Sequence, residues 1–164
     1  MKNINKEKLK NYIIEIIRGG INIVVVYFLN YFISSLPFVS NLNIFNEKIY
    51  LFEFITFLMM IISCFIIYEF AKRTQSIVDE MILFIPSSGK IHSYSVYLIL
   101  IIVAYFSANT IFIKFFGEEW IWAYNLFFIA FSLYFAAKNF VIFYQNSHTI
   151  SSNIFDMFFH QPKE

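Results

Sequence analysis

Four long apolar runs separated by short polar stretches set the plan of this chain: roughly residues 21–38, 50–71, 93–115 and 121–144. Within each run the apolar side chains follow one another without the 3.6-residue spacing of a helix that faces water on one side. The solvent they are suited to is lipid. At 1.5 Å per residue, each run as a helix reaches about the 30 Å of a hydrocarbon core. The first run is the shortest and most polar, with Asn22, Asn30, Ser34, Ser35 and Pro37 inside it. The pattern predicts an all-α integral membrane protein, a bundle of four transmembrane helices in one membrane domain over residues 1–164.

The stretches between the runs are not featureless. Residues 1–20 are basic, and Leu9, Tyr12, Ile13, Ile16 and Ile17 share one helical face while Lys6, Lys8 and Lys10 reach toward water. Glu15 and Arg18, three apart, can pair on the helix surface. Gly19-Gly20 offers a flexible joint. The segment either lies in the headgroup plane and turns at the glycines, or continues into one tilted helix from about 6 to 38. Residues 72–92 form a polar loop whose central piece, 77–85, is too short to cross, and Pro86-Ser87-Ser88-Gly89 ends it with turn chemistry. A short interfacial helix is expected there. Ile150, Ile154, Phe155 and Phe158 recur at helical spacing in 145–164, which predicts a second amphipathic surface helix. A basic start ahead of an apolar run also fits a signal peptide. This run is long, lacks an A-x-A site and is followed by three more, which reads as a retained helix.

Composition strengthens the membrane reading. Hydrophobic residues make up 59% of the chain and charged residues 14%, against about a quarter charged in a soluble domain. So few charges leave too little polar surface to face water. The 23 Phe and 11 Tyr follow AT-rich codon usage, as from an AT-rich genome, and point to no ligand cage. A net charge of +1 gives no field for nucleic acid. Lys2, Lys6, Lys8, Lys10, Lys72, Arg73, Lys90 and Lys163 fall on one side of the four-run plan, and Lys48 and Lys114 on the other. By the positive-inside rule both termini are expected in the cytoplasm, or on the equivalent side of an organelle membrane; the location expected is a bacterial inner membrane.

Few residues offer chemistry. Cys64 stands alone inside an apolar run, so no disulfide forms within the chain. His92, His148 and His160 do not face one another across runs, and no H-E-x-x-H, G-x-S-x-G, C-x-x-C or P-loop occurs. No enzyme activity, cofactor or metal is expected. An ionisable group inside a membrane helix costs roughly 2.5–3.5 kcal/mol at the centre, so each needs a reason. Glu53 and Glu69 in the second run, Lys114 in the third and Lys138 in the fourth match in depth as two opposite-charge pairs, Glu53 with Lys114 and Glu69 with Lys138. Thr56, Asn109, Thr110 and Asn125 fall at similar depth to the first pair, so a polar or ion-binding cluster is geometrically possible. Ala104 with Ala108 and Ser132 with Ala136 make small-xxx-small pairs, where helices approach closely.

The four-run layout, with Glu69 ahead of basic residues and Ile91-His92 opening the third run, resembles PsiE-like membrane proteins of bacteria. The resemblance is one of topology and implies no site residue. The function expected is that of a non-enzymatic membrane subunit: an anchor, assembly or sensor element that lies in the bilayer and joins copies of itself or a partner protein. The alternatives are an oligomeric pore, channel or transporter subunit, including a membrane-permeabilising effector, and an accessory subunit of an energy-converting complex.

Overall fold

The computed structural model describes residues 6–45 and 48–159. Helix α1 runs Lys6–Ser34, followed by a short α2, Pro37–Asn41, and a small antiparallel hairpin of β1, Asn43–Ile44, and β2, Ile49–Tyr50. Then come α3, Leu51–Met81, α4, Ser88–Phe116, a single 3-10 turn over Glu118–Trp120, and α5, Ile121–Phe159. Among the described residues, four helices are long and apolar enough, by length and composition, to cross a membrane. Their outward surfaces are apolar: Val24, Phe106 and Phe140 are each about two-thirds or more exposed. Monomeric soluble proteins rarely expose so many large apolar side chains together.

Three expected boundaries shift, each for a definite reason. The first concerns the N-terminal segment, which is continuous with the first run. Gly19 and Gly20 do not hinge it, because the helical hydrogen bonds run through them. At Gly19 a Cβ would meet the Phe70 ring at 3.6 Å, an ordinary van der Waals contact. Residues ahead of it pack along α3, with Lys8 ion-paired to Glu80 and the Tyr12 ring 6.5 Å from Phe70. At the other end α1 stops at Ser34 rather than at residue 38. Pro37 has no N–H and forces extended geometry on the residue before it. Leu36 is indeed extended, at φ −69° and ψ 128°, and Pro37 opens α2.

The second shift removes the interfacial helix at 77–85. Lys72 to Ser76 leave the apolar run, but they contain no Gly or Pro, so the backbone carries on and α3 reaches Met81. The third removes the separate tail helix. Residues 145–159 extend α5 to 39 residues, about 58 Å at 1.5 Å per residue. Asn153 Nδ2 donates to the Phe84 carbonyl at 2.9 Å and ties this extension to the α3–α4 turn. Phe158's side chain and His160 lie outside the described residues.

The helices pack in the order α1–α3–α4–α5, each mainly against its neighbours in that row. Among the described residues α1 and α5 make no extended contact, so the row is open rather than closed on itself. The β-hairpin was not foreseen in an all-α plan. It seals one end of the row, where Val39 and Ile49 are fully buried. The opposite end carries Lys8, Arg18, Lys72, Arg73 and Lys90, and is called the basic end below.

Candidate functional site

At the hairpin end, Glu53 stands in the first turn of α3 and Lys114 in the last turn of α4. Lys114 Nζ donates to both carboxylate oxygens of Glu53, at 2.5 and 2.7 Å. Glu53 Oε2 also accepts the backbone N–H of Tyr50 at 3.1 Å, capping α3. Lys114 lies 5.6 Å from the centre of the Tyr50 ring. A carboxylate at a helix N-terminus and an ammonium at a C-terminus each complement the helix dipole. Three effects therefore act on the same pair, which is largely screened from its surroundings.

Depth matching does not make the other pair. Glu69 faces Arg73 on its own helix at 3.7 Å, and Lys138 lies 5.5 Å over the Tyr134 ring. The reason is lateral: α4 stands between α3 and α5, so equal depth does not bring Glu69 to Lys138. Thr56, Asn109, Thr110 and Asn125 do not gather into one cluster either. Thr56 donates to Asn30 on α1 at 3.2 Å, and Asn125 accepts from Tyr105 at 3.0 Å. Thr110 is exposed, and Asn109 Oδ1 is buried with no hydrogen-bond partner among the described residues.

The small-residue pairs are split as well. Ala108 lines a cavity between α3, α4 and the start of α5, and Ala104 is half-buried. Ser132 lies toward α4 while Ala136 is exposed. What joins α4 to α5 is aromatic. The Tyr124 ring lies tilted 5.3 Å from Tyr105 and 4.7 Å from Phe112, and Phe135 lies 5.3 Å from Tyr97. The Tyr124 hydroxyl donates to the Tyr105 carbonyl, and Tyr124 is the one buried side chain among the described side chains of α5. Reading the aromatics as codon bias alone missed this seam. Tyr97, Tyr105 and Phe112 on one side of α4 were the available signal.

A second polar constellation was missed altogether. At the basic end, α3 and α4 cross so closely that a Cβ on Gly89 would come 1.9 Å from the Gln75 carbonyl oxygen. Gly89 N–H donates to Asp79 Oδ1 at 2.7 Å, placing a carboxylate on the N-terminus of α4. Ser88 donates to the Val78 carbonyl at 3.1 Å, and Ser93 to the Ala71 carbonyl at 3.0 Å. Thr74, fully buried, lies 3.1 Å from His92 Nε2. Every one of these contacts holds the helix hairpin together, and the hydrogen-bonding capacity is largely consumed within it. Ser-Ser-Gly after a proline read as a plain turn, but its small side chains are what let the two helices touch.

No group of three or more metal-ligating side chains occurs among the described residues. Comparison with protein-family models, with curated proteins and with solved structures finds no match. The topological resemblance to PsiE-like proteins gains nothing from these comparisons.

Proposed function

We propose that this chain is a non-catalytic subunit of a bacterial inner membrane that works as an assembly with copies of itself. The observation that carries the reading is the open helix row. Helix α1 contributes no buried residue and α5 contributes Tyr124, so both edge helices present most of their circumference outward. A row of this kind buries more protein surface by meeting another copy than by standing alone. Close packing is what drives helix association where lipid offers no hydrophobic gain. The exposed Ala136 on α5 offers one place for close approach. An oligomeric pore is less well supported, because the carboxylate that would line it, Glu53, is neutralised by Lys114 in a two-point contact. No observation favours an accessory role in an energy-converting complex.

The test is the particle mass of the full chain in a lipid nanodisc. The expected result is a discrete multiple of the chain mass. A monodisperse single-chain particle overturns the proposal.

The same reading places both termini in the cytoplasm. In a Cys64→Ser background, a membrane-impermeant thiol reagent applied to intact cells should modify Asn43→Cys and Glu118→Cys. It should spare Leu83→Cys, which is also exposed, in the α3–α4 turn. Labelling at Leu83→Cys with none at the other two reverses the orientation.

A further inference from the structure

The chain has two arginines, Arg18 on α1 and Arg73 on α3, and both line one cleft of about 160 Å3 between these helices at the basic end. Glu15, Glu69 and Asn22 line it too, and Gly19 leaves room where a side chain would otherwise stand. Each arginine meets its carboxylate loosely, at 3.7 Å on its own helix, Arg18 with Glu15 and Arg73 with Glu69. Neither guanidinium makes a hydrogen bond among the described residues, and their side chains are 59% and 47% exposed. A guanidinium carries five N–H donors in a fork that fits phosphate oxygens, so most of that capacity is unspent.

Depth narrows the ligand. The apolar run of α3 ends at Ala71, and Lys72-Arg73 follow, which sets the cleft at the level of lipid headgroups. Charge narrows it further. Two arginines and two glutamates balance, so the cleft does not favour a purely anionic group. It matches one that carries a phosphate and an ammonium a few bonds apart.

We propose that the α1–α3 cleft binds the headgroup of an aminophospholipid of the phosphoethanolamine class. The phosphate lies between Arg18 and Arg73, and the primary ammonium donates to Glu15 and Glu69. The acyl chains continue along the apolar surface of α1 and α3. A quaternary trimethylammonium has no N–H to offer the carboxylates, so phosphatidylcholine fits less well. Phosphatidylglycerol supplies the phosphate but leaves both glutamates unanswered. The proposal rests on the chain residing in a membrane but not on its self-assembly.

The test is native mass spectrometry of the full chain from nanodiscs holding equal parts of phosphatidylethanolamine, phosphatidylglycerol and phosphatidylcholine. Wild type should retain phosphatidylethanolamine at about one per chain. Its preference over phosphatidylcholine should be about tenfold, the equivalent of one charge-assisted hydrogen bond. Arg18→Gln with Arg73→Gln should abolish retention of all three lipids. Glu15→Gln with Glu69→Gln should turn the preference toward phosphatidylglycerol, because the cleft then carries an excess of positive charge. Soluble glycerophosphoethanolamine added in excess should displace little lipid, since the bilayer supplies the acyl contacts. Its full displacement of the lipid would show a site for the free headgroup and overturn the lipid assignment. Equal retention of the three lipids by wild type, a result that needs no variant to fold, also overturns the proposal. A chain that does not partition into membranes at all would refute the membrane reading instead, and the two failures are distinguishable.

Discussion

Gly89→Ala will strongly destabilise the protein, while the same substitution at Gly20 will leave it as stable or more so. At Gly89 the new methyl would fall 1.9 Å from the Gln75 carbonyl oxygen and 2.8 Å from the Asp79 carboxylate. The first of these is backbone and cannot swing aside, so α3 and α4 must separate. Separation would also lengthen the Gly89 N–H bond to Asp79 and the Ser88 and Ser93 bonds across the same crossing. Overpacking a tight contact costs about 1–3 kcal/mol, and loss of the hydrogen bonds adds to it, so about 3 kcal/mol or more is expected. At Gly20 nothing lies within 4 Å of the added Cβ, and alanine exceeds glycine in a helix interior by up to about 1 kcal/mol. Thermal unfolding of the two variants in one detergent checks the contrast. Equal effects at the two positions would show that the α3–α4 crossing is not tight.

The second large effect lies at the other end of the same helix pair. Replacing either Glu53 or Lys114 by a neutral residue should destabilise the protein, Glu53→Met by more than Lys114→Met. The difference follows from the second role of Glu53, which caps α3 through the Tyr50 N–H besides holding Lys114. Breaking a fully buried pair costs about 3–5 kcal/mol, and exposed pairs are worth about 0–1 kcal/mol. With side chains 17% and 31% exposed, this pair falls between, at about 1–3 kcal/mol. A double-mutant cycle should return a coupling energy of about 1–2 kcal/mol. Exchanging the charges, Glu53→Lys with Lys114→Glu, should recover only part of the loss. The exchanged ammonium would stand at the N-terminus of α3 and the carboxylate at the C-terminus of α4, against both helix dipoles. Zero coupling within error would mean that the two groups do not stabilise each other, whatever their separation.

The number of membrane-length helices and their order were legible because hydropathy is a local property. Each run of lipid-compatible residues announces itself without reference to any other part of the chain. The closeness of Glu53 and Lys114 was legible for a related reason. They lie on consecutive runs joined by a short turn at the far end, so depth along the helix and lateral neighbourhood coincide. Glu69 and Lys138 share a depth but not a neighbour, because α4 intervenes, and depth carries no information about azimuth or about which helices touch.

Helix ends were the other thing that patterning hid. Hydropathy marks where lipid ends, but a helix ends only where its backbone hydrogen bonds do. Residues 72–76 leave the apolar run without leaving the helix, and Gly19-Gly20 keep their helical bonds instead of hinging the chain. Pro37, by contrast, sits inside an apolar run and still ends α1, because it lacks an N–H and its ring excludes helical geometry in the residue before it. The sequence by itself determined that the chain is helical, apolar outside and divided into four membrane-length segments. The tertiary structure alone decided that these segments form an open row, that aromatic rings rather than small residues join α4 to α5, and that Arg18 and Arg73, 55 positions apart in the chain, share one cleft. These features depend on which faces of rigid helices meet, and that choice is made by packing across the whole molecule rather than by any stretch of sequence read alone.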